Sequence, residues 1–204
     1  MNDFLKEPAL LKAEGTRPLQ KKMLIVCEGK NTEVDYFDKF HFPGITIVPV
    51  GTGLSTSKLV REVESIKTLQ LKRKKLKKFD EIWVVFDKDD NKDFEDAIRL
   101  ALSLKYKVAY TNQAFEYWFL LHFNRYMGAI HRNQYPDMLA KLIGMPYSKI
   151  QGFGALMYRF LLSCQQQAID NADAVLADVS HGNPAREESS TTVQKLVVEL
   201  NKYL

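Results

Sequence analysis

Residues 23–29 read MLIVCEG, a run of five apolar residues that stops abruptly at an acid and a glycine. A short, continuous and largely branched apolar run with such an ending is typical of a strand buried on both faces of a parallel sheet. Further runs of this kind lie at 45–50, 81–86 and 107–110, next to glycines or charged turns. The sequence therefore predicts four buried strands in its first half.

Helical patterns fill the gaps between these predicted strands. The first covers about 31–40, the second 57–78 with apolar residues three and four apart, and the third 93–104. Strands that alternate with helices are typical of an α/β fold with a parallel sheet and right-handed crossovers. We therefore predict an α/β core over residues 21–112.

The second half of the chain is rich in aromatic residues and mostly helical in pattern. Prolines and glycines separate four predicted helices, at 115–123, 137–143, 154–174 and 190–204. Because no linker rich in Gly, Ser or Pro divides the halves, we expect residues 113–204 to pack on the α/β core as part of a single unit. Residues 1–20, with two prolines and mixed charge, are predicted to form an N-terminal arm.

Composition excludes several classes of protein. The 204 residues are 46% hydrophobic and carry 29 basic and 25 acidic side chains, a net charge of +4, which is ordinary for a globular domain. No apolar stretch is long enough for a membrane span, and two cysteines without CxxC spacing favour free thiols. With no signal sequence in its first residues, the chain is expected to be cytoplasmic.

Acidic residues stand where two predicted strands end. Glu28 follows the first strand, and Asp87 and Asp89 follow the third. Ligands of open parallel sheets bind beyond the carboxyl ends of the strands, and residues two apart in an extended segment project to the same side. Asp87 and Asp89 are thus expected to aim at one point, which Glu28 joins if the two strands are neighbours.

Three carboxylates at one point repel each other, and a divalent cation relieves that repulsion. An all-oxygen ligand set suits Mg²⁺ or Mn²⁺, which can activate a water and stabilise the leaving oxygen of a phosphodiester. The sequence therefore predicts a metal site made by Glu28, Asp87 and Asp89. The alternative is that these acids cap helices and face solvent.

Four blocks of sequence resemble the RloB-like family over most of the chain from about residue 20. They are VCEGKNTEVDYF at 26–37, VVFDKDD at 84–90, NQAFEYWFLLHF at 112–123, and a tail made of HGNP at 181–184 and SSTTV at 189–193. The strand followed by Glu-Gly and the strand followed by Asp-x-Asp also resemble the Toprim domain of topoisomerases, primases and overcoming-lysogenization-defect nucleases.

The resemblance implies a Toprim-like sheet and a role in anti-phage defence, such as abortive infection, beside an ATPase partner of the AAA or ABC type. It implies that Glu28 is a general acid/base or metal ligand, and that Asp87 and Asp89 are the metal-binding pair. It also implies a site role for Glu33, whose alternative is an acid that the N-terminal helix dipole favours. Glu116, in the third block, is implied to be functional, the alternative being a paired core acid.

Seven cations and no acid lie within residues 67–78, which we call the basic segment: Lys67, Lys72, Arg73, Lys74, Lys75, Lys77 and Lys78. Such a cluster favours contact with a phosphate backbone. The alternatives are a solvated helix end and a surface for an acidic protein. Lys149 is a further candidate for nucleic-acid binding, because a lysine can stabilise phosphate charge, or else a plain surface residue.

Two other polar features have open interpretations. The Gly51-Thr52-Gly53 loop follows the second predicted strand and either binds phosphate through its backbone or forms a plain turn. His122, among aromatic residues, is either a hydrogen-bonded core histidine or a catalytic base.

These observations together predict a Mg²⁺-dependent Toprim-type nuclease that cleaves DNA or RNA as the effector of an ATPase. The alternative is a non-catalytic Toprim-like adaptor that binds a partner ATPase or nucleic acid.

Overall fold

The computed structural model describes residues 20–179, 184–187 and 189–204. The predicted N-terminal arm, apart from Gln20, lies outside the described residues. The His181-Gly182-Asn183 part of the tail block lies outside them as well.

Four parallel strands form one sheet in the order β2-β1-β3-β4. They are β1 (Lys21–Cys27), β2 (Ile45–Gly51), β3 (Glu81–Asp87) and β4 (Lys107–Thr111). Cys27 at the end of β1 is in register with Gly51 on one side and Val85 on the other. The first and third strands are therefore neighbours, which puts Glu28 and Asp87 at one edge of the sheet.

Eight α-helices accompany the sheet in the described part of the chain. They are α1 (Thr32–Phe37), α2 (Thr56–Lys74), α3 (Phe94–Ser103), α4 (Glu116–Leu120), α5 (Tyr135–Ile143), α6 (Phe153–Leu161), α7 (Gln165–Val179) and α8 (Val193–Asn201). One face of the sheet packs against α2 and α3, and the other against helices that include α1, α4 and α8. The predicted α/β fold with a helical C-terminal half is confirmed.

The continuous apolar run of β1 is explained by two hydrophobic cores. Met23, Ile25 and Cys27 point into the larger core, whereas Leu24 and Val26 point into the smaller one, and all five are fully buried. Burying one such side chain contributes about 1.5–3 kcal/mol, so both faces of β1 stabilise the sheet. The larger core joins residues of the strands to residues of the C-terminal helices.

Several predicted helix boundaries were wrong. The second helix ends at Lys74 instead of residue 78, because Lys75 adopts a left-handed conformation (φ 53°) that caps it and sends Lys77 and Lys78 into the loop before β3. The helix predicted at 154–174 is interrupted by a 3-10 turn at Leu162–Cys164, which separates α6 from α7.

The last predicted helix begins at Val193 instead of residue 190, because residues 190–192 pair with the edge strand β4. Thr191 forms an antiparallel bridge with Thr111, and the Thr192 N–H donates to the Tyr110 carbonyl oxygen over 2.8 Å. This segment covers the outer edge of β4. The opposite edge strand, β2, contains Pro49 in register with Ile25.

Candidate active site

Glu28 is held where β1 ends and α2 begins. The Thr56 hydroxyl, in the first turn of α2, donates to Glu28 Oε2 over 3.2 Å. Burial raises the pKa of Glu28, although the hydrogen bond from Thr56 acts in the opposite direction. The carboxylate therefore sits at the carboxyl edge of the sheet in a partly desolvated position.

The loop after β2 packs directly on the loop after β1. Gly51 has no room for a side chain, because a Cβ there would lie 2.7 Å from both the Gly29 carbonyl oxygen and the Lys30 Cα. The Thr52 N–H donates to the Cys27 carbonyl oxygen over 3.0 Å, and the Gly53 N–H to that of Glu28 over 2.8 Å. These backbone donors are already engaged, so the loop is a turn that supports Glu28.

Asp87 is the last residue of β3, and its carboxylate accepts a hydrogen bond from the Phe115 N–H over 3.1 Å. Burial raises the pKa of Asp87 well above its usual value, and the nearby charges of Glu33, Glu116 and Glu28 raise it further. Three other acids therefore lie close enough to Asp87 to raise the pKa of its carboxyl group.

Glu33 lies in the first turn of α1 but is buried, because its side chain folds back over Gly29 and not into solvent. Burial and the charge of Glu116 raise the pKa of Glu33 to about 7, although Lys149 acts in the opposite direction. Glu33 also lies in the first turn of α1, as the alternative interpretation of an acid favoured by the helix dipole requires, and its side chain lines the cavity.

Glu116 begins α4 and is buried, with two partners from the loop between α5 and α6. The Tyr147 hydroxyl donates to Glu116 Oε1 over 2.8 Å, and Lys149 Nζ lies 2.6 Å from the same oxygen. Lys149 is therefore a cation placed at the opening above buried acids.

The predicted geometry of Asp89 was wrong. The strand ends at Asp87, and Asp89 lies in a turn with a left-handed backbone (φ 46°), so the two carboxylates do not project together from one extended segment. Asp89 forms an ion pair with Arg132, which also contacts Asp90. It nevertheless lines the same cavity as Asp87.

The predicted catalytic acids meet around this cavity of about 230 Å³, which we call the acidic cavity. An adjoining cavity of about 400 Å³ shares Asp87, Asp89, Glu116 and Lys149 with it and adds Arg132. The side chains of the acidic cavity that carry charge are Glu28, Lys30, Glu33, Asp87, Asp89, Glu116 and Lys149.

The acids line one cavity, but their carboxylates do not converge on a single point. Within residues 20–179, 184–187 and 189–204, no three His, Cys, Asp or Glu side chains stand close enough together to hold a metal ion as they are. Asp89 is engaged by Arg132, and Glu116 by Lys149. The acidic cavity thus combines five carboxylates, of which Glu33 and Glu116 are buried, with Lys30 and Lys149, and Arg132 lines the adjoining cavity.

Three residues of the site were not predicted from the sequence, namely Arg132, Tyr147 and Thr56. Arg132 belongs to a 3-10 turn before α5, and Tyr147 to a loop without periodic pattern. Neither carries a local signal, because each reaches the cavity only through the packing of helices distant in sequence. Thr56 had a weak signal, since it opens the helix that follows a predicted strand end.

The basic segment lies far from the acidic cavity. The segment is near the amino ends of the strands, whereas the cavity is at their carboxyl ends. α2 starts beside Glu28 and has 19 residues, a length of about 28 Å, and the Asp80 N–H just after the segment donates to the Lys22 carbonyl oxygen near the start of β1. Lys78 pairs with Asp80 over 2.8 Å. Of the predicted nucleic-acid-binding residues, only Lys149 is at the cavity.

His122 belongs to the core and lies outside the cavities described above. It is buried, and its Nδ1 lies 2.9 Å from the Trp118 carbonyl oxygen. Burial lowers the pKa of His122 to about 4, so the ring is neutral at physiological pH. This is the arrangement of a core histidine.

None of the helices in the described ranges is both long and apolar enough to cross a membrane.

Comparison with known proteins gives the chain a family. No curated protein matches the chain significantly. The family model described as RloB-like protein matches residues 23–200, which is most of the chain and includes every acid of the cavity. The chain therefore belongs to the RloB-like protein family.

Proposed function

We propose that this protein is a Mg²⁺-dependent nuclease of the Toprim type, which hydrolyses phosphodiester bonds of DNA or RNA. The observation that carries the proposal is the convergence of acids from separate segments at the carboxyl edge of a parallel sheet, beside Lys149 and Arg132. Glu33 and Glu116 are buried, and Glu28 and Asp87 are half-buried. Ligands of open parallel sheets bind at this edge. A cavity with carboxylates inside and cations at its rim suits a metal together with a phosphate.

The donor set fits a hard divalent cation. Its ligands are all carboxylate oxygens, and the raised pKa of Asp87 reflects burial together with the charges of Glu33, Glu116 and Glu28. Glu28, Asp87 and Asp89 would hold Mg²⁺ or Mn²⁺, with Glu33 and Glu116 next to them. When bound, the ion would supply an activated water and stabilise the leaving oxygen of the phosphodiester.

The other groups of the cavity have roles that follow from their chemistry. Glu33, next to the proposed ligands, would accept or release a proton at its carboxylate; burial and the charge of Glu116 raise its pKa in the metal-free cavity, whereas a bound cation would lower it. Lys149 and Arg132 would neutralise phosphate charge as it develops in the transition state. Tyr147 would keep Glu116 oriented through its hydrogen bond.

The proposed setting is a cytoplasmic anti-phage system in which an AAA- or ABC-type ATPase controls the nuclease. Similarity to RloB-like and Toprim sequences supports this setting. The basic segment would contact the nucleic acid away from the cavity. Five of its seven cations are exposed and form no ion pair within the described residues, namely Lys72, Arg73, Lys74, Lys75 and Lys77, whereas Lys67 pairs with Glu64 and Lys78 with Asp80.

The experiment compares cleavage of DNA and RNA in Mg²⁺, in Mn²⁺ and in EDTA by the wild type, Asp87→Asn and Glu28→Gln. Each substitution removes a charge but keeps the shape, so we expect cleavage to fall by at least about 100-fold. Asp96→Asn on the exposed surface of α3 is the matched control and should cleave like the wild type. Equal cleavage by the wild type and Asp87→Asn would overturn the proposal.

A second candidate is a Toprim-like adaptor without catalysis, which binds a partner ATPase or a nucleic acid. The pairing of Asp89 with Arg132 and of Glu116 with Lys149 favours it, because these contacts occupy one proposed metal ligand, Asp89, and the neighbouring acid Glu116. Crystals soaked in Mn²⁺ separate the two candidates. Density between Glu28 and Asp87 supports the nuclease, whereas unchanged ion pairs at high Mn²⁺ support the adaptor.

A further inference from the structure

The outward face of α2 carries a polar stripe that runs the length of the helix. Its residues are three and four apart, so they share one side of the helix: Lys58, Arg61, Ser65, Thr68 and Lys72. The opposite side, with Leu59, Val60 and Val63, is buried against the sheet. We call these five residues the outer stripe.

The outer stripe contains three cations, two hydroxyl residues and no acid. In the part of the chain that the structure describes, Lys58, Arg61 and Lys72 form no ion pair. The flanking Glu64 is engaged by Lys67 and by the Tyr106 hydroxyl. Between the cations lie the small hydroxyl side chains of Ser65 and Thr68, with exposed Leu69 beside them, and a phosphate backbone needs closely spaced positive charge of this kind.

The outer stripe connects two features that lie at opposite edges of the sheet. Its first residues, Lys58 and Arg61, line a cavity of about 500 Å³ beside Gly51 and Thr52, the turn that supports Glu28. Its last residue, Lys72, belongs to the basic segment. α2, about 28 Å long, thus runs from the turn that supports Glu28 to that segment, although Glu62 also lines the cavity at its start.

We infer that the outer stripe and the basic segment bind the sugar-phosphate backbone of a nucleic-acid helix whose reactive phosphate lies in the acidic cavity. This inference rests on the proposed nuclease function and extends it to the size of the substrate. Each base pair of a duplex adds about 3.4 Å along the helix axis, so a path of about 28 Å spans about eight base pairs. Shorter nucleic acids reach the cavity without the anchoring contacts.

The test measures binding in EDTA, where no metal-dependent cleavage takes place. Fluorescence anisotropy compares labelled duplexes of about 5 and about 20 base pairs on the full chain and on the triple variant Lys58→Gln, Arg61→Gln, Lys72→Gln. We expect the wild type to bind the longer duplex at least about tenfold more tightly. The triple variant should lose at least about tenfold in affinity, and the slope of log K against log salt should fall by about 2.7.

The matched control removes three exposed charges elsewhere, by Lys105→Gln, Lys141→Gln and Lys195→Gln, and should bind like the wild type. Unchanged affinity and salt slope in the triple variant would overturn the inference, as would a wild type that binds neither duplex. The latter result would point to an acidic protein as the occupant of this surface. A chain that binds the longer duplex through the outer stripe, yet cleaves no substrate with Mg²⁺, would contradict the proposed nuclease alone.

Discussion

Gly29 is the residue on which the position of Glu33 depends. A Cβ at residue 29 would overlap the Glu33 carboxylate, so the absence of a side chain is what allows Glu33 to fold over the loop and into the cavity. The neighbour that a Cβ would meet is the far end of a flexible side chain, which can move without disturbing the backbone. The glycine therefore serves the site more than the fold.

Gly29→Ala is expected to separate activity from stability. The free energy of unfolding should fall by less than about 1 kcal/mol, because only the Glu33 side chain needs to shift. Cleavage and Mn²⁺ affinity should each fall at least about tenfold, because a misplaced carboxylate no longer acts at the right distance. Urea unfolding and Mn²⁺ titration measure the two effects. Full activity in Gly29→Ala would show that Glu33 has no part in the site.

Single residues also show which parts of the site the local sequence pattern could predict. Glu28 and Asp87 were predictable, because an apolar strand run that stops at an acid fixes both the burial and the edge of the sheet. Asp89 was not, because its left-handed backbone and its pairing with Arg132, 43 residues later, depend on tertiary contacts. Lys149 was predicted as a phosphate contact, but nothing local indicated that it would face Glu116.

At the scale of elements, α1 and α6 pack so closely that their contact requires a glycine. A Cβ at Gly154 would overlap the Thr32 carbonyl oxygen and lie 2.9 Å from the Asp35 Cβ. Unlike the neighbour of Gly29, this obstacle is backbone. The contact fixes α1, which carries Glu33, against the helical half of the chain.

Gly154→Ala is expected to lower the free energy of unfolding by about 1–3 kcal/mol, because α1 and α6 must move apart. In an isolated helix the same change would stabilise by about 1 kcal/mol, so the sign of the effect reports the packing. Urea unfolding measures it, with Leu156→Ala on the exposed side of α6 as a control that should change stability little. Stabilisation by Gly154→Ala would contradict the close packing.

An ion-pair network ties the amino edge of the sheet to α8. Glu199 of α8 lies 2.6 Å from Lys202 Nζ and 2.8 Å from Lys21 Nζ, and Lys21 also contacts Glu81 of β3. The hydrogen bonds from Lys202 and Lys21 lower the pKa of Glu199 to about 2. Because the folded pKa is below the unfolded value of about 4.5, the resulting stability is present above pH 4.5 and is lost as the pH falls toward 2.

Glu199→Gln should therefore reduce the free energy of unfolding by about 1–2 kcal/mol at pH 7. The difference from the wild type should shrink as the pH is lowered from about 5 to about 2, because the wild-type carboxylate becomes protonated. Urea unfolding at a series of pH values measures the difference. A difference that stays constant with pH would assign the effect to packing and not to charge.

At the scale of the whole molecule, the parallel sheet places the acidic cavity at the carboxyl ends of its strands and the basic segment near their amino ends. Each crossover helix must run back along the sheet, so a helix that starts near a strand's carboxyl end finishes at the amino edge. The position of the basic segment away from Glu28 and Asp87 followed from this rule, and the alternation of strands and helices already implied it. The strands and the fold class were predictable for the same reason, whereas Arg132 and Tyr147 were not, because only the packing of distant helices brings them to the site.

The two cysteines are expected to report on the stability of the whole sheet. Cys27 is fully buried in a strand with neighbours on both sides, and burial raises the pKa of its thiol, whereas Cys164 is partly exposed. A thiol reagent should label Cys164 rapidly and Cys27 only when the sheet opens. In Cys164→Ser the labelling rate should rise with urea in step with unfolding. Rapid labelling of Cys27 in native buffer would contradict the burial of β1.

The two edge strands of the sheet, β2 and β4, affect how readily copies of the protein aggregate at high concentration. Residues 190–192 pair with the carboxyl end of β4, at Tyr110–Asn112, while Pro49 in β2 lacks the N–H that an added strand would need at that position. An open edge of regular strand invites a second chain to continue the ladder, which is the first step toward domain-swapped or fibrillar aggregates. Each edge strand of this sheet thus carries one feature that opposes that step.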